Sequence, residues 1–134
     1  MVDIPQAYTD LLDTATLAHV ATIGPKGEPQ NTPVWFDWDG SHIRFSQRKD
    51  RQKFRNLQRD PRLALSIVDP NDPYRALEIR GKVVRIEEDP DLHFLNALTK
   101  RYLGRDTYPF HQPGMEHFVL VVQPEHLTQP KRSL

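Results

Sequence analysis

The segment from Tyr74 to Glu87 constrains the fold of this chain more than any other. Its apolar residues alternate, but they change phase on the way: Leu77, Ile79 and Val83 occupy odd positions, Val84 and Ile86 even ones. Successive side chains of a strand point to opposite faces, so one core face cannot take both sets unless an extra residue is inserted. The sequence therefore predicts a long strand with a β-bulge beside Gly81, and bulges bend sheets toward closure. The other alternating runs are shorter. Leu17–Ile23 is stopped by Gly24-Pro25-Lys26-Gly27, and Ser41–Gln47 follows an Asp39-Gly40 turn. Gln30–Trp38 contains Pro33, which removes a ladder donor and marks an edge or an opening in the sheet. Arg62–Val68 leads into a loop at Asp69–Pro73, and His117–Gln123 is the last strand.

Three segments have helical spacing. Ile4, Tyr8, Leu11 and Leu12 form an apolar stripe behind Asp3 and Pro5. Phe54 and Leu57 lie in the stretch Arg51–Arg59, for which Asp50 is the predicted N-cap and Asp60-Pro61 the stop. Asp89-Pro90 opens a helix with Leu92, Leu95, Leu98 and Tyr102, closed by Gly104. The order predicts one domain over residues 1–134, mainly β with few helices, built as an antiparallel barrel of six or seven strands.

Many chemistries lack their residues. The chain has no cysteine, which removes thiolate nucleophiles and cysteine zinc sites. Its histidines show no i,i+2 or i,i+4 pairing, so no metal site is expected. Phosphate-loop, dinucleotide, nucleophile-elbow and zinc-protease motifs are absent. The first twenty residues hold three Asp and no Lys or Arg, unlike a targeting peptide, and the longest apolar run is Phe118–Val122. A soluble, cytoplasmic protein without a membrane partner is expected.

The net charge is zero, yet Arg44–Arg62 carries eight Lys or Arg against Asp50 and Asp60, a local charge of +6. A pI near 7.0 argues against a nucleic-acid module, which a small barrel with basic and aromatic residues would otherwise suggest. Concentrated charge suits one local anion. Arg51, Arg55 and Arg59 recur at i+4, where like charges destabilise an isolated helix by about 0.2–0.5 kcal/mol per pair. Two readings follow: a phosphate cradle of Arg51 and Lys53 at the helix N-terminus, or a solvated face paired with the acidic remainder.

The segment Pro29-Gln30-Asn31-Thr32-Pro33-Val34-Trp35, then Phe45-Ser46, then Arg51-Gln52-Lys53-Phe54-Arg55-Asn56-Leu57 with Arg59-Asp60-Pro61-Arg62, resembles the split β-barrel FMN-binding superfamily that includes pyridoxamine 5′-phosphate oxidase. Within it the chain is most similar to the deazaflavin (coenzyme F420)-dependent oxidoreductases, over roughly residues 7–127. The resemblance implies a PNPOx-like split barrel, working as a homodimer with cofactor sites at the interface. It implies hydride transfer between reduced F420 and a small organic acceptor (enone, quinone or tetrapyrrole-like), with FMN as the alternative cofactor and a non-catalytic binding protein as the alternative role. Arg51 and Lys53 match the residues that hold the cofactor phosphate. Gln30, Asn31, Thr32, Ser46, Gln47 and Arg48 match the surroundings of the cofactor, and Tyr74 a residue that completes the partner's pocket. The C-terminal motifs that bind the substrate phosphate in pyridoxamine phosphate oxidases are absent, which counts against vitamin B6 synthesis. Hydride chemistry belongs to the cofactor, so no nucleophile is needed. Tyr74, Tyr108 and His111 are candidate donors to a substrate carbonyl.

Overall fold

A computed structural model describes residues 2–128. A short 3-10 turn at Gln6–Tyr8 leads into α1 (Thr9–Asp13), followed by β1 (Ala18–Ile23), β2 (Pro29–Val34), β3 (Asp37–Trp38) and β4 (Ile43–Arg48). Then come α2 (Gln52–Arg59), β5 (Arg62–Asp69), β6 (Asp72–Glu88), α3 (His93–Leu103) and β7 (His117–Thr128). The strands make one antiparallel seven-stranded sheet in the order β2-β1-β5-β6-β7-β4-β3. It is the predicted split barrel: the sheet curls round a core that includes Phe45, Leu65, Ile67, Leu77, Ile79 and Leu120, each 1% exposed or less.

The split lies where Pro33 predicted an opening. β2 and β3 are the two edges, and only Trp35 and Phe36 separate them along the chain. The predicted strand Gln30–Trp38 is therefore two strands that diverge to opposite margins. Tyr102 of α3 bridges this break, with its hydroxyl accepting from the Phe36 N–H at 3.0 Å and lying 2.6 Å from the Thr16 carbonyl.

The phase change in β6 is real but uses two irregularities. At Arg80/Gly81 the extra residue, Glu125, is on β7, whereas between Val83 and Arg85 the extra residue is Val84 on β6 itself. The second insertion, three residues beyond Gly81, pairs Ile86 with Leu120, so the register slips as the sequence predicts, but Val84 and Ile86 both stay exposed and do not join the core. Gly81 is needed for a different reason. A Cβ there would lie 2.1 Å from the Gln123 carbonyl oxygen.

Two predicted caps are different in the structure. Asp50 does not cap α2: Arg51 holds the N-cap position, and the Asp50 carboxylate binds Arg48 in a bidentate pair at 2.6 and 3.0 Å. Asp89 does cap α3, but across a turn, accepting from the N–H groups of Phe94 and Leu95 at 3.1 Å while Leu92 takes the left-handed position before the helix. The first helix is shorter than its apolar stripe suggests, with a 3-10 turn replacing its opening. The loop expected at Asp69–Pro73 closes to Pro70-Asn71 between two strands, and β7 runs on to Thr128. No helix among the described residues is long and apolar enough to cross a membrane.

Candidate functional site

α2 packs against β1 and β4, and a buried amide network fixes it there. Asn56, fully buried, donates to Thr22 Oγ1 at 3.0 Å and Gln30 Oε1 at 3.2 Å, and accepts from Gln52 Nε2 at 2.8 Å. Phe54 and Leu57 complete the buried face, with Phe54 against Phe118 at 5.0 Å between ring centres. Because no side chain caps this helix, its first N–H groups stay available at the N-terminus.

Lys53 sits in that first turn and is 6% exposed. Its Nζ reaches one group, Gln47 Oε1, at 3.3 Å, and burial pushes its pKa down to about 8. A buried cation is ordinarily paired. Among the described residues the sole partner of Lys53 is a neutral amide, which leaves the ammonium free to pair with an anion. Arg51, one turn edge away, has an exposed guanidinium with no hydrogen bond or ion pair among the described residues.

The remaining arginines of the basic segment are engaged locally. Arg44 forms a bidentate pair with Asp37, Arg48 with Asp50, and Arg62 with Asp60. Arg55 donates to the Asp50 carbonyl and Gln52 Oε1, and Arg59 to the Ile23 carbonyl. Most of the charge run is thus locally satisfied, and among the described residues the side chains of Lys49, Arg51 and Lys53 are left without a carboxylate or backbone-carbonyl partner.

Arg51 and Lys53 open onto a cavity of about 420 Å³. One side is polar: Ser46, Gln47 and Arg48 of β4 with Arg51 and Lys53. The other is apolar and aromatic, with Trp35, Tyr108 and Phe110 over Leu95 and Leu98 of α3. Trp35 stacks on Tyr102 at 5.2 Å and meets the edge of Tyr108 at 6.4 Å. The Tyr108 N–H donates to Asn96 Oδ1 at 2.8 Å, which anchors the loop 105–116 to α3. A cationic notch at one end and a flat apolar wall at the other fit a planar group carrying a phosphate.

Of the residues singled out in the sequence, Ser46, Gln47, Arg48, Arg51 and Lys53 line this cavity. Gln30, Asn31 and Thr32 do not line it in the single chain. Gln30 belongs to the network that seats α2, Asn31 is exposed, and Thr32 carries a buried Oγ1 with no hydrogen-bond partner. Tyr74 is 54% exposed and outside the cavity. Sequence reasoning placed Trp35 at the end of the matching segment Pro29–Trp35 without singling it out, and it missed His117; both line the site. Trp35 follows Pro33 at the break between the sheet edges, a signal that could have found it. His117 begins β7 directly across from Arg48, a pairing no local pattern reveals.

A family model described as pyridoxamine 5′-phosphate oxidase matches residues 4–130. Among solved structures, an F420 reductase superposes with a TM-score of 0.85 at 39% identity, covering 93% of this chain and 98% of that one. The conserved hypothetical protein Rv2991 from Mycobacterium tuberculosis gives a TM-score of 0.75 at 26% identity, covering 98% and 87%. General Stress Protein 26 from Bacillus anthracis shares the fold, with a TM-score of 0.67 at 18% identity, covering 91% and 89%. No curated protein matches the chain.

Proposed function

Because this chain belongs to the pyridoxamine 5′-phosphate oxidase family, we propose that it is an oxidoreductase that binds coenzyme F420 and transfers a hydride between the reduced cofactor and a small organic acceptor of the enone, quinone or tetrapyrrole-like class. The observation that carries this reading is Lys53, a buried ammonium with only an amide partner, set in the uncapped first turn of α2 beside an unpaired Arg51. The cofactor phosphate would supply an anion for this ammonium. The 39% identity to an F420 reductase over nearly the full length supports a deazaflavin rather than another phosphate ligand.

When bound, the deazaflavin supplies the hydride chemistry. The chain's own residues do the rest. Arg51, Lys53 and the α2 N–H groups hold the phosphate, and Gln47 orients the Lys53 ammonium. Ser46 offers a hydroxyl at the cavity wall, and Thr32 a hydroxyl that lacks a partner in the barrel. Trp35, Tyr108 and Phe110 exclude water from the ring end. The protein is proposed to act in the cytoplasm as a homodimer, with Tyr74 reaching the neighbouring subunit's site.

FMN is the second reading, and one observation favours it. With Arg48, Arg55, Arg59 and Arg62 already engaged, the unpaired charge beside the cavity is about what a single phosphate uses, and little of the basic run is left to follow a polyglutamate tail. Titration of the purified protein with F420 and with FMN, read by absorbance and fluorescence, separates the two. F420 binding tighter than FMN is the expected result. FMN binding equal or tighter would refute the F420 assignment.

A further inference from the structure

Two imidazoles meet where the loop 105–116 joins β7. His111 Nδ1 and His117 Nε2 are 3.1 Å apart, so one ring donates to the other. The two rings differ in access: His111 is exposed in the loop, while His117 is 6% exposed and lines the cavity. Tyr108 packs edge-on against His117 at 5.9 Å and against Trp35 at 6.4 Å, which sets His117 between the aromatic wall and Arg48. The other ring nitrogen of His117, Nδ1, has no hydrogen-bond partner among the described residues and is not sealed from open space.

The charged groups around His117 leave it no competing partner. Arg48 faces it from β4, but its guanidinium is held by Asp50. Asp89, before α3, commits both carboxylate oxygens to the helix N–H groups. Arg51 and Lys53 of α2 share the cavity. His117 forms no ion pair among the described residues, and His111 is its hydrogen-bonded neighbour.

We propose that His111 and His117 form a two-imidazole relay that carries a proton from solvent to the acceptor in the cavity, with His117 as the catalytic proton donor. This rests on the oxidoreductase reading above. Reduction of an enone breaks the carbon–carbon π bond. The β-carbon gains a hydride, with two electrons, from reduced deazaflavin, and the resulting enolate gains a proton at the α-carbon. That proton leaves His117 Nδ1. His117 starts neutral with its proton at Nδ1, so as that proton leaves, Nε2 takes one from protonated His111 and the ring stays neutral. His111 is recharged by a proton from the buffer, matched by the proton that the cofactor releases to the buffer on oxidation. Exchange of the His117 proton from Nε2 back to Nδ1 restores the starting pair, and the product is a neutral ketone. Burial, then His111 and Arg48, hold His117 below the ordinary imidazole range, which keeps the ring neutral and its Nε2 free to accept from His111.

The test uses the full chain, reduced F420 and cyclohex-2-en-1-one, with cofactor Kd measured separately by fluorescence. For His117→Phe, kcat is expected to fall roughly a hundredfold or more, with cofactor Kd within about twofold of the wild type. The fall in kcat with rising pH, as the pair loses its proton, should vanish in this variant. His111 is exposed, so His111→Ala should fold whether or not His117→Phe does; its kcat should drop about tenfold and recover with added imidazole. His19→Ala, on the outer side of β1, is the control and should leave kcat unchanged. An unchanged kcat and pH profile in His111→Ala and His117→Phe would overturn the relay alone. So would a variant that loses cofactor affinity instead of kcat, since His117 would then be an anion ligand. A wild type that binds F420 but never reduces the enone would sink the hydride-transfer reading, and the relay with it.

Discussion

At the scale of single residues, Lys53 decides most. A charge-assisted hydrogen bond contributes about 1.5–3 kcal/mol, so Lys53→Ala should weaken cofactor binding roughly ten- to a hundredfold. Arg62→Ala should do far less, since Arg62 lies beyond α2, is exposed and is paired with Asp60. Equal losses from both substitutions, measured by fluorescence titration, would show a general electrostatic strip instead of a cradle. The same lysine shapes the stability of the cofactor-free protein. Its folded pKa of about 8 lies below its ordinary value of 10.5, so between those limits the unfolded chain binds more protons than the folded one. Stability should therefore rise as pH increases through that window. The interval corresponds to at most about 3 kcal/mol. Denaturant titrations at pH 7.5 and 10 should show the rise, and Lys53→Met should be more stable than wild type at pH 7 and lack this rise. A lysine that is flat across the window would mean that its ammonium is solvated. None of this was visible from spacing. The sequence marked Arg51 and Lys53 through their place at a helix start and through family resemblance, but which cations were already paired depended on Asp37, Asp50 and Asp60, whose reach only the folded chain determines.

At the scale of elements, local patterns were legible where local physics acts alone. Alternation located β1, β4 and β5 to within a residue or two, because each buries one face against a single core. The strand ends and caps were less legible, because they answer to neighbours. The Gln30–Trp38 run divides because β2 and β3 pair with different strands, and Asp50 leaves its cap because Arg48 competes for it. Gly81 is the sharpest instance. The sequence placed a bulge beside it, whereas the constraint is the opposing Gln123 carbonyl, 2.1 Å from where a Cβ would stand. Backbone opposes backbone there, so neither side can turn away. Gly81→Ala should cost about 1–3 kcal/mol, in the range of overpacked interior sites, and should separate β6 from β7 near Pro124. Chemical denaturation reads the loss. A variant as stable as wild type would show that the two strands can part there without cost.

At the scale of the whole molecule, the open question is how many chains make one site. Tyr74 is 54% exposed at the start of β6 and does not reach the cavity of its own chain. Val84 and Ile86, on the same strand, are each 37% exposed. An isolated exposed apolar residue is ordinary, but three along one strand leave surface that a second copy could cover. Two-fold pairing is the commonest closed assembly, and in such a pair each patch contributes to both sites. We expect a homodimer in which Tyr74 of one subunit closes the cofactor site of the other. Two measurements test this together. Light scattering at micromolar concentration with cofactor present should give the mass of two chains. Tyr74→Ala should keep the fold, since its ring is exposed, yet weaken cofactor binding several-fold. If the protein is a stable monomer with cofactor bound, the shared site is excluded. If it is a dimer and Tyr74→Ala binds cofactor as wild type does, the pairing stands but Tyr74 has no part in the site, and the cavity bounded by Trp35, Tyr108 and Lys53 holds the cofactor without it.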